Sequence, residues 1–222
     1  MASIIKTILF TTFVLCSLKC VGSEPIQRIA GKPFSGHERT VEHLNGQETV
    51  WTTDIARSSN GSTFRSIYDP SGKNVEIDIE DVSTKRIVKI WPAQKAYIAL
   101  SKPDMTSISP EAFAESFMKE HDQAVLQPPQ IPDRVPTTRT YLGIRTELGY
   151  QSVGVHDVIK DPNGENLQTE IWTNQLGIPI EVNGSRAGSR PMNWSTKLIN
   201  LDLGEPSPAL FQIPADYRSL GH

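Results

Sequence analysis

Cysteine is almost absent from this 222-residue sequence, and its two copies, Cys16 and Cys20, both lie near the amino terminus. If the chain is processed after them, no thiol remains, which excludes a cysteine nucleophile, a cysteine-ligated metal and a disulfide framework. Long apolar runs are also missing after Leu18, so no later segment is long enough to cross a bilayer as a helix. Stability must therefore come from side-chain packing.

The short motifs that carry chemistry are absent as well. There is no Gly-x-Ser-x-Gly nucleophile elbow, no His-Glu-x-x-His helix and no glycine-rich phosphate loop. His37 and His43 lie six residues apart on one predicted strand and share a face, but no third metal ligand is implied there. We expect no catalytic residue, no cofactor and no metal site, and an enzyme assembled from scattered residues is the least favoured alternative.

The first 23 residues have the plan of a secretory signal peptide. Lys6 precedes an apolar run that ends at Leu18, and small residues follow it. Val21 and Ser23 fit the positions that signal peptidase reads, so we expect residues 1–23 to be removed. Lipid attachment at Cys20 would need a small residue before it, and a lysine stands there instead. The sequence therefore predicts a periplasmic or extracellular protein whose single domain covers residues 24–222.

An excess of positive charge is also missing. The full chain has 22 basic and 25 acidic residues, and the leader holds two lysines and no acid, so 20 basic and 25 acidic residues remain after its removal. A net charge of −5 argues against nucleic acid as a partner, because phosphate binding relies on clustered lysine and arginine.

The pattern of the mature chain is that of a mainly β protein of the α+β type. Residues 33–101 and 141–204 read as two sets of strands with turns such as Asn45-Gly46, and residues 127–138 form a proline-rich connector. Residues 184–188 are interpreted as a loop. The tail after residue 204 is expected to pack onto the sheet through apolar side chains, namely Leu210, Phe211, Ile213 and Tyr217.

One helix is predicted over residues 109–124. Ser109 is suited to the N-cap and Pro110 to the first helical position. Phe113, Phe117 and Met118 form an apolar stripe that includes His121, whose position is explained by the helix C-terminus or by a pH-sensing or catalytic role. Because long antiparallel sheets curl, we expect a curved antiparallel sheet forming an unclosed barrel, with this helix as its lid.

The predicted strand at residues 74–81 raises a question about its two faces. Val75, Ile77 and Ile79 form a dry face, which either meets other elements as a core or lines a hollow as a binding site. Glu76, Asp78 and Glu80 alternate with them and are interpreted as the solvated face, with weak cation binding as the alternative.

Four segments support a resemblance to known proteins: PFSGHERTVEHLNGQETVW, RSSNGSTFRSIYDPSG, EIWTNQLGIPIEV and LINLDLGEPSPALFQIPADY. They resemble a group of uncharacterised secreted bacterial proteins. More distantly, the chain is similar to the periplasmic lipoprotein-carrier (LolA/LolB-like) superfamily, whose fold is an unclosed antiparallel barrel with helices over an apolar cavity. These motifs are structural, so the resemblance implies a fold and an apolar cavity and transfers no ligand-contacting residue.

The preferred hypothesis is an envelope protein that binds an apolar or amphipathic ligand, such as a lipid or a lipoprotein acyl chain, in the half-barrel. The alternative is a structural or interaction module that binds another envelope protein and no small ligand. Trp51 and Trp91 are explained by core packing or by a flat-walled pocket. The residues that we assign to ligand binding are Phe113, Phe117, Met118, Trp172 and Trp194.

Overall fold

The computed structural model describes residues 27–29, 31–103, 105–109, 112, 137–160, 166–188 and 191–220. Within these ranges the chain forms fourteen strands: β1 Gln27–Ile29, β2 Phe34–Leu44, β3 Gln47–Arg57, β4 Thr63–Tyr68, β5 Asn74–Asp81, β6 Arg86–Trp91, β7 Ala96–Ser101, β8 Thr106–Ile108, β9 Thr137–Glu147, β10 Tyr150–Lys160, β11 Asn166–Asn174, β12 Pro179–Ala187, β13 Met192–Leu203 and β14 Arg218–Ser219. Two short 3-10 turns, Pro92–Gln94 and Pro208–Phe211, complete the described elements.

Twelve of these strands form one sheet in the order β14-β7-β6-β5-β4-β3-β2-β13-β12-β11-β10-β9, and β1 pairs with β8 in a separate two-stranded sheet. Two antiparallel meanders, β2–β7 and β9–β13, join where β2 pairs with β13 along almost its whole length. The edge strands β9 and β14 do not pair with each other, so the sheet stays open. The predicted mainly β fold, a curved antiparallel sheet in an unclosed barrel, is confirmed.

Local turn chemistry explains the hairpin between β2 and β3. Asn45 and Gly46 both have positive φ, 53° and 77°, which two-residue hairpin turns require at both central positions. Asparagine and glycine tolerate this left-handed conformation better than other residues. The turn sets the register in which Leu44 lies opposite Gln47 and Phe34 opposite Arg57.

The start of the predicted helix has the expected cap. The backbone N–H of Ala112 donates to Ser109 Oγ at 3.1 Å, the bond that an N-cap serine makes with the third helical residue. The rest of the predicted helix, with Phe113, Phe117, Met118 and His121, lies outside the described residues, and so does its role as a lid. In the described ranges, no helix has the length and apolar character needed to span a membrane.

The dry face of β5 belongs to a core. Ile79 is buried in a cluster with Ala56, Phe64, Val88 and Ile90. The C-terminal tail covers this cluster, and Phe211 meets Phe64 edge to face at a centroid distance of 6.4 Å. The predicted packing of the tail onto the sheet is confirmed for all four apolar side chains: Leu210, Phe211, Ile213 and Tyr217.

Arg57 ties together three segments at the end of the sheet where β2 begins. Its guanidinium donates to the backbone oxygens of Lys32 at 3.0 Å and Leu176 at 2.9 Å, and its Cζ lies 4.9 Å from the centre of the Phe34 ring. Burial lowers the pKa of Arg57 to about 10. Beside it, an apolar cluster gathers around the β11–β12 turn: Phe34, Ile55, Trp172, Leu176, Ile178, Ile180 and Leu198.

Candidate ligand-binding face

The two faces of the sheet differ most clearly along β13. Met192, Trp194, Thr196 and Leu198 are buried, whereas Lys197 and the other intervening side chains are exposed or half-buried. We call the face that carries the buried set the inner face, and the opposite one the outer face. Cross-strand partners share a face, so the register of each pair assigns every neighbouring strand to these two sides.

One row of the inner face crosses five strands from β10 to β2. In register order it contains Asp157, Thr169, Gly184, Trp194 and Glu42. The indole of Trp194 lies flat over Gly184, where a Cβ atom would come within 2.0 Å of Trp194 Cζ2. Glycine is required at this position because any larger residue would displace the ring.

Two polar atoms in this row are buried and lack a hydrogen bond. Trp194 is 5% exposed and Thr169 is 1% exposed. Within the part of the chain that the structure describes, neither Trp194 Nε1 nor Thr169 Oγ1 has a partner. A buried donor left without a partner costs about 1–3 kcal/mol, so native proteins rarely keep one unless a ligand or water satisfies it.

The adjacent row of the inner face is apolar. Val155, Ile171, Val182 and Thr196 follow one another on β10 to β13. Thr196 is the one polar member of this row, and its Oγ1 forms a hydrogen bond with Thr40 Oγ1 on β2 at 2.9 Å. An apolar strip therefore runs directly beside the two unpartnered polar atoms.

Carboxylates stand at both ends of the polar row. Glu42 Oε2 accepts a hydrogen bond from Trp51 Nε1 at 3.1 Å, and burial raises the pKa of Glu42 although this bond opposes the rise. Asp157 accepts two hydrogen bonds from Arg139, at 2.7 and 2.8 Å. The charge of Asp157 is therefore compensated by Arg139, and the raised pKa of Glu42 means that burial disfavours its charged form.

The inner face of β4 to β6 is charged, which corrects the interpretation of the acidic stripe as a solvated face. Glu80 is only 7% exposed, and Glu76 and Asp78 share Lys89, whose Nζ lies 3.2 Å from Asp78 Oδ1. The stripe faces inward because the apolar residues of β5 are held by the tail on the outer face, and paired cations make its burial tolerable.

A further ion pair on this face skips a strand. Arg65 Nη2 on β4 donates to Glu38 Oε2 on β2 at 3.3 Å. Burial raises the pKa of Glu38, and the nearby Arg65 charge only partly opposes that rise.

The structure does not bring the predicted ligand-binding tryptophans together. Trp194 lies opposite Gly184, and Trp172 lies opposite Glu181, three residues away on β12, so the two rings leave opposite faces. Trp172 is covered by Arg145, whose Cζ is 4.0 Å from the ring centre, and its Nε1 donates to a glutamate on its own strand at 2.7 Å. The assignment of both residues to ligand binding stays a prediction.

The two histidines considered as metal ligands lie on the outer face. His37 Nδ1 is hydrogen-bonded to Asp54, which also accepts a bond from the Tyr68 hydroxyl at 2.9 Å, and His43 Nε2 lies 3.9 Å from Glu48. Among the residues that the structure describes, no three histidine, cysteine, aspartate or glutamate side chains converge on one point.

Sequence reasoning missed Thr169 and Gly184, and it placed Gly184 in a loop. That interpretation is wrong, because Gly184 lies inside β12. A glycine in the middle of a strand signals a close approach by another group, and this signal was available in the sequence. The approaching ring, Trp194, is ten residues away and could be identified only from the strand register.

No protein-family model matches the chain, and no curated protein matches it. Solved structures similar to it include the MucA/MucB complex of Pseudomonas aeruginosa, with a TM-score of 0.42 and 14% identity over 84% of this chain. The match covers 57% of that chain, so this protein spans little more than half of its length.

Members of the LolA superfamily are also among the similar structures. A LolA superfamily protein of Nitrosomonas europaea has a TM-score of 0.38 and 9% identity, over 83% of this chain and 92% of that chain. LprF of Mycobacterium bovis has a TM-score of 0.29 and 15% identity, over 82% of this chain and 90% of that chain.

Proposed function

We propose that this chain is a secreted envelope protein that holds an apolar or amphipathic ligand, such as a lipid or an acylated chain, against its inner face. The observation that supports this proposal is the pair of buried polar atoms without partners, Thr169 Oγ1 and Trp194 Nε1, beside the apolar strip. The polar group of an amphipathic ligand would form hydrogen bonds with these two atoms, and its apolar body would cover the apolar strip.

The chemistry of the two atoms narrows the polar group of the ligand. The indole N–H of Trp194 can only donate, and the Thr169 hydroxyl can also donate, so an acceptor oxygen suits both. Asp157 at one end of the row is paired with Arg139, so the ends of the row do not decide the charge of the ligand group. The carbonyl oxygen of an ester or amide is an acceptor of this kind, and so is a carboxylate oxygen.

The apolar body of the ligand supplies the driving force. Val155, Ile171 and Val182 form a continuous strip on neighbouring strands. Val155 and Val182 are already buried without a ligand, so the gain comes mainly from the acyl surface itself, at about 25 cal/mol per Å².

The direct test is a lipid extract of protein purified from its native envelope, analysed by mass spectrometry. We expect a co-purifying acylated molecule in the parent protein and much less of it in the Thr169→Val variant. A parent protein that carries no lipid and binds no fluorescent acyl ester in titration would overturn the proposal. Glu205→Gln serves as the control, because that carboxylate contacts the backbone of Ser59 and lies beyond the end of β13, eleven residues from Trp194.

A protein-interaction module is the second candidate, and the apolar side chains on edge strand β9 favour it. Ile144 and Leu142 on that strand are 52% and 40% exposed. In this case the inner face would be filled by side chains and water, and the lipid extract would be empty while a partner protein remained bound.

A further inference from the structure

A second row of buried polar side chains crosses β9, β10 and β11. Arg145 lies opposite Ser152, and Ser152 lies opposite Asn174. This row is on the outer face with Trp172, because Gly154, two residues after Ser152, lies opposite that tryptophan. Within the described ranges, three polar atoms of the row are buried and have no hydrogen-bond partner: Arg145 Nε, Ser152 Oγ and Asn174 Nδ2.

The orientation of the Asn174 amide is fixed by the β11–β12 turn. Its Oδ1 accepts hydrogen bonds from the backbone N–H groups of Leu176 and Ile178, each at 3.0 Å. A flipped amide would point its NH2 group at these two donors, so Nδ2 lies on the side away from them. Asn174 is 0% exposed and therefore keeps a buried donor that its own turn does not satisfy, which native proteins rarely tolerate.

The three atoms together specify what they bind. Asn174 Nδ2 and Arg145 Nε can only donate, whereas the Ser152 hydroxyl can donate or accept. A cation is disfavoured in such a row because it offers no acceptor to these donors. An anion is disfavoured as well, since the guanidinium of Arg145 is already paired with Glu147 and Glu181.

The row is closed to a large molecule. Ser152 and Asn174 are both 0% exposed. Arg145 reaches from β9 to Glu181 on β12, so its side chain crosses the two strands that carry them, and its Cζ lies 4.0 Å from the ring centre of Trp172. The occupant must be small and uncharged, and it must both accept and donate hydrogen bonds. Water has these properties, and buried waters in proteins typically bind about two to four polar groups that otherwise lack partners.

We propose that an ordered water molecule binds between Arg145 Nε, Ser152 Oγ and Asn174 Nδ2. Its oxygen accepts hydrogen bonds from Asn174 and Arg145, and it donates one to the Ser152 hydroxyl. The water links edge strand β9 to the β11–β12 turn, which Arg57 also holds through the backbone oxygen of Leu176. The site lies on the opposite face from the ligand row and does not depend on the proposed function.

Nuclear magnetic resonance of the isotope-labelled parent protein tests for the water directly. We expect a nuclear Overhauser cross-peak between water and the side-chain NH2 group of Asn174, with the sign that a water tumbling with the protein gives. A serine hydroxyl that exchanges its proton with solvent also produces such a signal, so the measurement is repeated with Ser152→Ala. We expect the cross-peak to remain in this variant, because the water keeps its bonds to Asn174 and Arg145.

The stability of Ser152→Ala provides a second readout. If the hydroxyl binds a water, its removal costs a hydrogen bond and should lower the urea midpoint. If the hydroxyl has no partner, its removal should leave the midpoint unchanged or raise it. Ser66→Ala is the matched control, because Ser66 is 2% exposed and its Oγ accepts a hydrogen bond from Asn74 Nδ2 at 2.8 Å. This control should lower the midpoint in either case.

Two outcomes would overturn the proposal, provided that circular dichroism shows each variant to be folded. The first is a cross-peak that is missing in the parent or that disappears in Ser152→Ala, since the signal would then come from no bound water or from the hydroxyl alone. The second is a urea midpoint of Ser152→Ala that equals or exceeds that of the parent while Ser66→Ala lowers it.

Discussion

Thr169→Val separates a binding role of the buried hydroxyl from a structural one. The hydroxyl is almost fully buried and has no described partner, so in the ligand-free protein it carries a desolvation cost without a compensating bond. Valine has nearly the same shape and removes that cost. We expect the free energy of unfolding to stay unchanged or to rise by about 1 kcal/mol.

Thr196→Val is the matched control, because the same substitution is made one strip away on the same face. Its hydroxyl is bonded to Thr40 Oγ1 at 2.9 Å, so the change leaves Thr40 without that partner. We expect a loss of about 1 kcal/mol in the free energy of unfolding. Urea titrations of the two ligand-free variants should therefore shift in opposite directions, or only the control should shift.

Ligand affinity should fall in Thr169→Val and stay unchanged in Thr196→Val. A fluorescent acyl methyl ester should bind Thr169→Val roughly three- to tenfold more weakly than the parent, because one hydrogen bond contributes about 0.5–1.5 kcal/mol. Thr196→Val should bind it like the parent.

Two results would refute this reasoning. If Thr169→Val lowers the free energy of unfolding by 1 kcal/mol or more, its hydroxyl is satisfied in the ligand-free protein, for example by an ordered water. If the variant keeps the stability and also the probe affinity of the parent, the polar row is not the ligand site.

Three further predictions concern the same domain. Gly184→Ala should lower the free energy of unfolding by about 1–3 kcal/mol in urea titration, because the added Cβ would meet the indole ring of Trp194. Gly204→Ala is the control and should leave the free energy of unfolding unchanged, because a Cβ there has open space. Equal effects of the two substitutions would contradict the close approach. The raised pKa of Glu42 means that its protonated form is favoured in the folded protein, so its contribution to stability falls as pH rises from the unfolded value of about 4.5 through the folded value. Over that pH range the urea midpoint of Glu42→Gln should fall less than the midpoint of the parent protein. A pH profile parallel to that of the parent would contradict the raised pKa of Glu42. Replacement of both Phe113 and Phe117 by serine should weaken binding of the acyl probe far more than it lowers the thermal midpoint, and unchanged affinity in a folded double variant would show that this segment does not gate the site.

Features that depend on nearby residues were predictable. The alternation in β5 and the turn at Asn45-Gly46 predicted strands correctly, because side-chain period and turn conformation are local properties of the backbone. The cap at Ser109 also formed as expected, because it joins residues three apart. The packing of Phe211 and its tail neighbours followed from their apolar spacing at the end of the chain.

The candidate site was not predictable in the same way. The apolar and acidic sides of β5 were correctly separated, but the acidic residue Glu80 proved to be buried on the inner face and Ile79 to lie beneath the tail. The alternation of residues along β5 predicted which side of the strand would be apolar. The actual environment of each side depended on the distant segments that covered it, and the sequence of β5 does not encode them.

The sequence by itself determined that this chain is a mainly β protein with short turns, a packed tail and no apolar run after its first residues that could span a membrane as a helix. Only the tertiary structure decided that Thr169, Gly184 and Trp194 form one row, and that Trp172 faces the other way. The physical reason is that alternation tells which residues of one strand share a face, whereas register tells which residues of different strands meet. A shift of one residue between β12 and β13 would take Trp194 away from Gly184, and neither strand alone specifies that pairing.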